Sequence, residues 1–229
     1  MAHRRHAPVP DTIDWQNPNS IWYAEPANHR LKPGGDNYVR YLWVRDQIPP
    51  GARVLDVGCG AGQLAINLSS DLGCVVCGVD IVPDFIHHCN VSVVHGLMAQ
   101  RIQAGWFVCA EFSTMTIDQI KAFGKFDVVT ALEVIEHPVD VRGFRRNACL
   151  ALWPGGKLIV TTPHPNSRSV GRHYKNTHSH HVRMWSRWRL EQVFGQAMEY
   201  GEMAQGQESE MVGTVSHIGA VFVGGIADV

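Results

Sequence analysis

The sequence lacks the features that would mark a membrane protein, a secreted protein or a protein of strong net charge. No apolar run among its 229 residues approaches the roughly 20 residues that a membrane-spanning helix needs. The basic N-terminus has no apolar segment of the kind found in secretory signals. We therefore expect a cytoplasmic protein without a membrane partner. The net charge of −1 favours no class of partner, and the oligomeric state is left open.

Paired cysteines are also scarce. Six cysteines are scattered along the chain, and only Cys74 and Cys77 form a C-x-x-C. They lie in an apolar strand pattern, where residues three apart point to opposite faces. Buried cysteines in a reducing compartment are therefore expected, rather than a zinc or redox site.

Acidic residues are missing from the segment between Asp140 and Glu191, which holds ten Lys or Arg. From Glu191 to the end there are acids but no Lys or Arg. The neutral total thus hides a strongly basic segment. That segment fits an anionic acceptor, and it fits equally a surface that the acidic tail balances.

Apolar strand patterns alternate with helical patterns from residue 35 onward. A helical stretch is predicted after Pro83, and another helix from Pro138 to about Leu152. Such alternation predicts an α/β fold with a doubly wound, mostly parallel sheet covered on both faces. Residues 1–34 are predicted to form an arm or cap, and residues 35–229 one domain. Functional residues should lie at the carboxyl ends of the strands.

The stretch VLDVGCGAGQLA, residues 54–65, follows the first strand pattern and precedes a helix. It satisfies the relaxed dinucleotide fingerprint G-x-G-x-x-A, with Asp80 about twenty residues further on. A pyrophosphate at this helix N-terminus would be repelled by Asp56. A ligand that carries an ammonium group and no phosphate would be favoured instead. S-adenosylmethionine (SAM) is such a ligand.

Acids end the next two strands as well. Asp80 is placed to bind ribose hydroxyls, and Glu111 to accept from an adenine amino group. The series Asp56-x-Gly58-x-Gly60-x-Gly62, Asp80, Glu111 resembles the cofactor site of class I SAM-dependent methyltransferases over roughly residues 40–165. The resemblance implies a Rossmann-like sheet of seven strands with the last antiparallel. The cofactor-binding residues it implies are Asp56, Gly58, Cys59, Gly60, Gly62, Asp80, Ile81, Glu111, Phe112, Leu132 and Glu133.

A second motif follows the fourth strand pattern. Glu133, Glu136 and His137 fall at i, i+3 and i+4, and Pro138 suits the first position of the next helix. The two carboxylates and the imidazole would face the cleft and could hold Mg, Mn or Zn. His137 acting as a base without metal, or a structural role, are the alternatives.

The E-x-x-E-H motif resembles two groups of methyltransferases. One is the ubiquinone-pathway O-methyltransferases, and the other methylates the 3′-terminal ribose 2′-hydroxyl of small RNAs. The resemblance implies a fourth metal ligand, His181, chosen by its distance from Trp185. The implied metal ligands are Glu133, Glu136, His137 and His181.

The expected reaction is methyl transfer from SAM to an oxygen of a small acceptor, anionic or neutral, with His137 and Glu133 as catalytic residues. Methylation of an RNA terminal ribose is the second expectation, so nucleic acid is an alternative partner. A nicotinamide oxidoreductase and a non-catalytic cofactor-binding module are alternatives from other classes.

Overall fold

The computed structural model describes residues 36–163, 182–194, 197–204 and 215–223. These residues form one seven-stranded sheet of order β3-β2-β1-β4-β5-β7-β6. The pairings among β1 to β5 are parallel, and β7 runs antiparallel to both β5 and β6. The predicted sheet is thus confirmed. The strands are β1 Arg53–Val57, β2 Val75–Asp80, β3 Phe107–Cys109, β4 Phe126–Leu132, β5 Leu152–Pro163, β6 Ala197–Ala204 and β7 Val215–Val223.

Seven α-helices lie in the described part of the chain. A π turn, Cys89–Val93, joins α3 to α4, and a 3₁₀ turn, Phe112–Thr114, follows β3. The predicted helical stretch after Pro83 is therefore present, with one wider turn inside it. The α-helices are α1 Asp36–Arg45, α2 Gln63–Leu72, α3 Pro83–His88, α4 Val94–Ala99, α5 Ile117–Ala122, α6 Val141–Ala151 and α7 Arg187–Phe194.

The start of α6 differs from the prediction. Pro138 does not occupy the first helical position, because the helix begins at Val141. Asp140 is the N-cap, and its carboxylate accepts a hydrogen bond from Arg142 N at 3.1 Å. An aspartate at this position satisfies one of the free N–H groups of the first turn, which a proline two residues earlier cannot do.

Alternate residues of the central strands enter two separate cores. Leu55 and Val57 pack with Phe144 of α6 on one face of the sheet. Val54 and Val76 pack with helices α1 and α2 on the other. Because strand side chains alternate between faces, a sheet covered on both sides needs the continuous apolar strands seen in the sequence.

The predicted burial of the C-x-x-C pair on opposite faces of a strand is confirmed. Cys74 and Cys77 are both buried, and they belong to the cores on opposite faces of the sheet. All six cysteines of the chain are free thiols.

The predicted arm, residues 1–34, lies outside the described residues. In the described portion, no helix is both long and apolar enough to cross a bilayer.

Candidate active site

A loop of left-handed glycines connects β1 to α2. Gly58 has φ +73° and Gly60 φ +50°, a region that side-chain-bearing residues rarely adopt. A Cβ on Gly58 would overlap Cγ2 of Val134, which lies just after β4. A Cβ on Gly60 would meet nothing within 4 Å. The glycine loop (residues 58–62) therefore packs on the β4 side at one end and faces open space at its centre.

Asp80, at the end of β2, is oriented by two backbone N–H groups. Its Oδ2 accepts from Gly60 N at 2.9 Å, and its Oδ1 accepts from Val82 N at 2.9 Å. Burial raises the pKa of this carboxyl, and the two backbone hydrogen bonds act against that rise. Each oxygen retains a lone pair for another donor, as a ribose hydroxyl would require.

Asp56 lies deeper than Asp80. It is 3% exposed, and its Oδ1 accepts from Thr130 Oγ1 at 2.7 Å. The parallel register places Asp56 beside Thr130 of β4. Burial raises the pKa of Asp56 to about 7, and the charge of Asp80 contributes to the rise. A nearby cationic group would therefore find a carboxyl that ionises near neutral pH.

Glu111 follows β3 and is exposed. Its Oε1 accepts from both N and Oγ of Ser113, at 3.1 and 2.7 Å, so the side chain caps the 3₁₀ turn. Phe112 is buried, and its ring packs against Phe144. Ile81, directly after Asp80, is 60% exposed and offers an apolar surface between β2 and β3.

Glu133 begins the E-x-x-E-H turn (residues 133–137) in a left-handed conformation, with φ +59°. Its backbone N donates to Thr161 O at 3.0 Å, and its Oε1 accepts from Thr161 Oγ1 at 2.9 Å. The Arg40 guanidinium of α1 lies 3.4 Å from the same oxygen. A non-glycine residue held in this region is often part of a functional site.

Glu136 is the most buried acid of the described residues, with 1% of its surface exposed. Its Oε2 accepts from Thr162 Oγ1 at 3.2 Å, whereas Oε1 has no hydrogen-bond partner. Burial raises the pKa of Glu136 well above its ordinary value, and the nearby charge of Glu133 raises it further. Both effects favour the protonated form of this carboxyl, whereas the Thr162 hydrogen bond and the Arg40 charge act against them.

Residues 182–185 donate hydrogen bonds to the backbone of the E-x-x-E-H turn. The backbone N of Val182 and of Arg183 both donate to Glu136 O, at 3.0 and 3.1 Å. Arg183 Nη1 donates to His137 O at 2.6 Å, and Trp185 Nε1 donates to Ile135 O at 2.9 Å. Three consecutive carbonyls of the turn are thus held by one short segment.

The described residues do not show the predicted metal site. No three His, Cys, Asp or Glu side chains converge as metal ligands in residues 36–163 or the later described segments. His181 lies outside the described residues. The charge of Glu133 raises the pKa of Glu136, and His137 shares their turn.

Four polar residues of the site were missed in the sequence. Arg40 pairs with Glu133, and Thr130 holds Asp56. Thr161 and Thr162 hold the two glutamates of the turn. Two adjacent threonines at the end of an otherwise apolar strand pattern could have indicated polar contacts at the site. Nothing in the sequence distinguishes Arg40 from other arginines.

Comparisons with known proteins agree with this geometry. The family described as a methyltransferase domain matches residues 24–200. A ubiquinone biosynthesis O-methyltransferase from Methylobacterium sp. (strain 4-46) is 31% identical over 82% of this chain and 76% of its own. A ubiquinone biosynthesis O-methyltransferase from Xanthomonas axonopodis pv. citri (strain 306) is 35% identical over 58% of this chain, which spans about half of that relative.

Solved structures share the fold at low identity. Magnesium protoporphyrin IX methyltransferase from Synechocystis PCC 6803, with bound S-adenosylhomocysteine (SAH), has a TM-score of 0.57 at 18% identity and covers 83% of this chain and 81% of its own. A SAM-dependent methyltransferase from Clostridium acetobutylicum ATCC 824 has a TM-score of 0.59 at 12% identity, over 82% and 91% of the two chains. Together with the strand-end acids around the glycine loop, the matched domain shows that this chain belongs to the class I SAM-dependent methyltransferases.

Proposed function

We propose that the protein transfers the methyl group of SAM to a hydroxyl oxygen of a small acceptor. The observation that carries this proposal is the contact between Val134 and Gly58. It joins the E-x-x-E-H turn directly to the glycine loop, so groups able to bind or deprotonate a hydroxyl adjoin the cofactor site. The relatives named ubiquinone biosynthesis O-methyltransferases support oxygen as the acceptor atom.

The cofactor is placed along the ends of β1 to β4. The glycine loop, including Cys59, lies against its methionine part, with the buried carboxyl of Asp56 closest to the ammonium group. Asp80 accepts from the ribose hydroxyls, and the exposed Ile81 packs on the adenine ring. Glu111 and the Phe112 backbone bind the polar edge of adenine, while Leu132 and Glu133 complete the wall at the end of β4.

The chemistry required of the protein is positioning and removal of one proton. When bound, SAM supplies a methyl group that its sulfonium already activates. Holding the hydroxyl in line with that methyl contributes up to about 7–11 kcal/mol in favourable cases. His137 takes the hydroxyl proton as general base, since imidazole titrates near neutral pH. Glu133, fixed by Thr161 and Arg40, orients the hydroxyl.

A divalent cation is the alternative to general-base catalysis by His137, and the unpartnered Glu136 Oε1 favours it. Glu133, Glu136, His137 and His181 would hold the ion, and their oxygen and imidazole donors suit Mg, Mn or Zn. Such an ion would lower the pKa of the acceptor hydroxyl. Arg40 argues for a modest affinity, because its guanidinium already neutralises part of the charge of Glu133.

An anionic small acceptor fits the arginines beside the turn. Arg187 and Arg189 of α7 are exposed, and Arg183 reaches the turn itself. The same charges would suit an RNA end, which we treat as the second candidate. The methyltransferase family sets aside a nicotinamide oxidoreductase.

The test measures SAH formation with three acceptor probes: 3,4-dihydroxybenzoate, catechol and a short RNA with a free 3′-terminal ribose. Methylation of the dihydroxy ring compounds, faster for the carboxylate-bearing one, is expected. A His137→Gln variant should lose about 10²-fold in kcat, as removal of a general base does. His95→Gln, an exposed histidine on α4, is the matched control and should be unaffected.

Calorimetric titration of Mg²⁺, Mn²⁺ and Zn²⁺ into EDTA-treated protein, with Glu136→Ala as control, tests the cation. Turnover of the RNA alone would establish the second candidate. Full activity after EDTA treatment would remove the cation from the proposal.

A further inference from the structure

Two buried thiols contact the main chain of the glycine loop, and one of them, Cys89, has no part in the assignments above. Cys89, fully buried in the π turn, donates its S–H to Gly60 O at a sulfur–oxygen distance of 3.4 Å. Cys59 Sγ lies 3.8 Å from the same oxygen. The hydrogen bond between the two thiols and their burial raise the pKa of Cys59. The Cys59 thiol is therefore neutral, and a buried thiol of raised pKa is a poor nucleophile.

The π turn packs directly on the far end of the same loop. A Cβ on Gly62 would lie 2.9 Å from Val93 Cγ2 and 3.1 Å from Cys89 Sγ. The first and last residues of the π turn thus both contact the loop. Wider turns of this kind often occur beside functional sites.

Gly60 connects the thiol contact to a cofactor-binding acid. Its carbonyl accepts from Cys89, and its N–H donates to Asp80 Oδ2 at 2.9 Å. The opposite side of Gly60 is open, since a Cβ there would meet no atom within 4 Å. A glycine with no neighbour at its Cβ position can change its backbone dihedral angles easily, so its conformation depends on the hydrogen bonds at its two peptide groups.

We propose that Cys89 is a positioning residue for cofactor binding: its thiol fixes the Gly60 carbonyl, and Gly60 in turn orients Asp80 toward the ribose hydroxyls. The inference rests on the proposed placement of the ribose at Asp80. Cys89 touches no cofactor atom in this arrangement and acts through the loop. Its loss should therefore weaken cofactor binding more than it weakens the fold.

Calorimetric titration with SAH tests the inference on the full chain, without any acceptor. Cys89→Ala should bind SAH about tenfold more weakly, which corresponds to the loss of one hydrogen bond. Cys89→Ser keeps a donor and should stay within about threefold of wild type.

Cys74 supplies a matched control. It is also fully buried, and it donates to a backbone carbonyl, Pro49 O at 3.8 Å, next to the amino end of β2. Cys74→Ala should lower the melting temperature about as much as Cys89→Ala does, and leave SAH affinity unchanged.

Several outcomes would overturn the inference. Unchanged affinity in Cys89→Ala, equal losses in Cys89→Ser and Cys89→Ala, or an equal loss in Cys74→Ala would each do so. If Cys89→Ala does not fold, Cys89→Val fills the same volume without a donor, and wild-type affinity in that variant overturns the inference as well. Asp80→Asn separates the two claims: wild-type affinity there contradicts the ribose placement itself, whereas a loss there with a normal Cys89→Ala contradicts only the role of Cys89.

Discussion

The two halves of the site satisfy their carboxylates in different ways. On the cofactor side, Asp80 accepts two backbone N–H groups, and Asp56 accepts a buried threonine hydroxyl. On the acceptor side, Glu136 is equally buried but leaves one oxygen without a partner, and Glu133 adopts a left-handed conformation. On the cofactor side both carboxylates are held by hydrogen bonds, whereas the E-x-x-E-H turn carries both an unsatisfied polar atom and backbone strain.

The difference indicates how each half performs its role. A cofactor of fixed shape is bound best by groups that are already oriented, because little ordering then opposes binding. Strain and an unsatisfied buried oxygen cost free energy, and they persist at sites where a ligand or a reaction uses them. The comparison therefore predicts that variants on the cofactor side change affinity, and that variants on the acceptor side change turnover and stability in opposite directions.

The largest effect is expected from Gly58→Ala, which should weaken SAH binding by at least about 100-fold. The new methyl group would overlap Val134 and would also be strained at φ +73°. Gly51→Ala is the matched control, because Gly51 has the same φ but open space around its Cβ position. Val134→Ala combined with Gly58→Ala should restore part of the affinity. If Gly51→Ala and Gly58→Ala bind SAH equally well, the contact between the two halves has no role in binding.

A pH dependence of intermediate size is expected from Asp56. Its pKa of about 7 means that the carboxyl is ionised at pH 8 and protonated at pH 5.5. A cationic ligand group prefers the ionised form, so SAH affinity should fall as the pH is lowered below 7. The fall should approach tenfold per pH unit. Calorimetry between pH 5.5 and 8.5 measures it. Asp56→Asn should bind weakly at every pH, and a flat wild-type profile would contradict the placement of Asp56 at the ammonium group.

The smallest effect on SAH affinity, and the change that separates the two halves most clearly, is expected from Glu136→Gln. The folded-state pKa of Glu136 is raised, so the folded protein holds a proton that the unfolded chain releases above pH 4.5. The contribution of Glu136 to the free energy of unfolding therefore falls as the pH rises above that value. The glutamine variant lacks this fall, and should be more stable than wild type by about 1–3 kcal/mol at pH 8 but not at pH 4.5.

Urea unfolding at the two pH values measures this difference. The same variant should lose methyl transfer while keeping its SAH affinity. Equal stability gains at both pH values would show that Glu136 is ionised in the folded protein.

Sequence patterns predicted the positions of three acids at the ends of neighbouring strands, and the structure has them there. Asp56, Asp80 and Glu111 could be placed because parallel strands end at one edge of a sheet. The start of α6 was misplaced, since Pro138 and Asp140 are both common near a helix N-terminus and only the cap geometry distinguishes them. The raised pKa of Glu136 was not predictable, because it depends on how completely neighbouring elements bury the carboxyl.

The sequence by itself determined the doubly wound sheet, the methyltransferase family and the order of acids along the strand ends, because continuous apolar strand patterns and local glycine motifs are properties of neighbouring residues. Only the tertiary structure decided which groups meet across the fold. Arg40 reaches Glu133 from 93 positions away, Thr130 reaches Asp56 through strand register, and residues 182–185 hold the carbonyls of the E-x-x-E-H turn. Such contacts depend on the packing of whole elements, which no local pattern encodes.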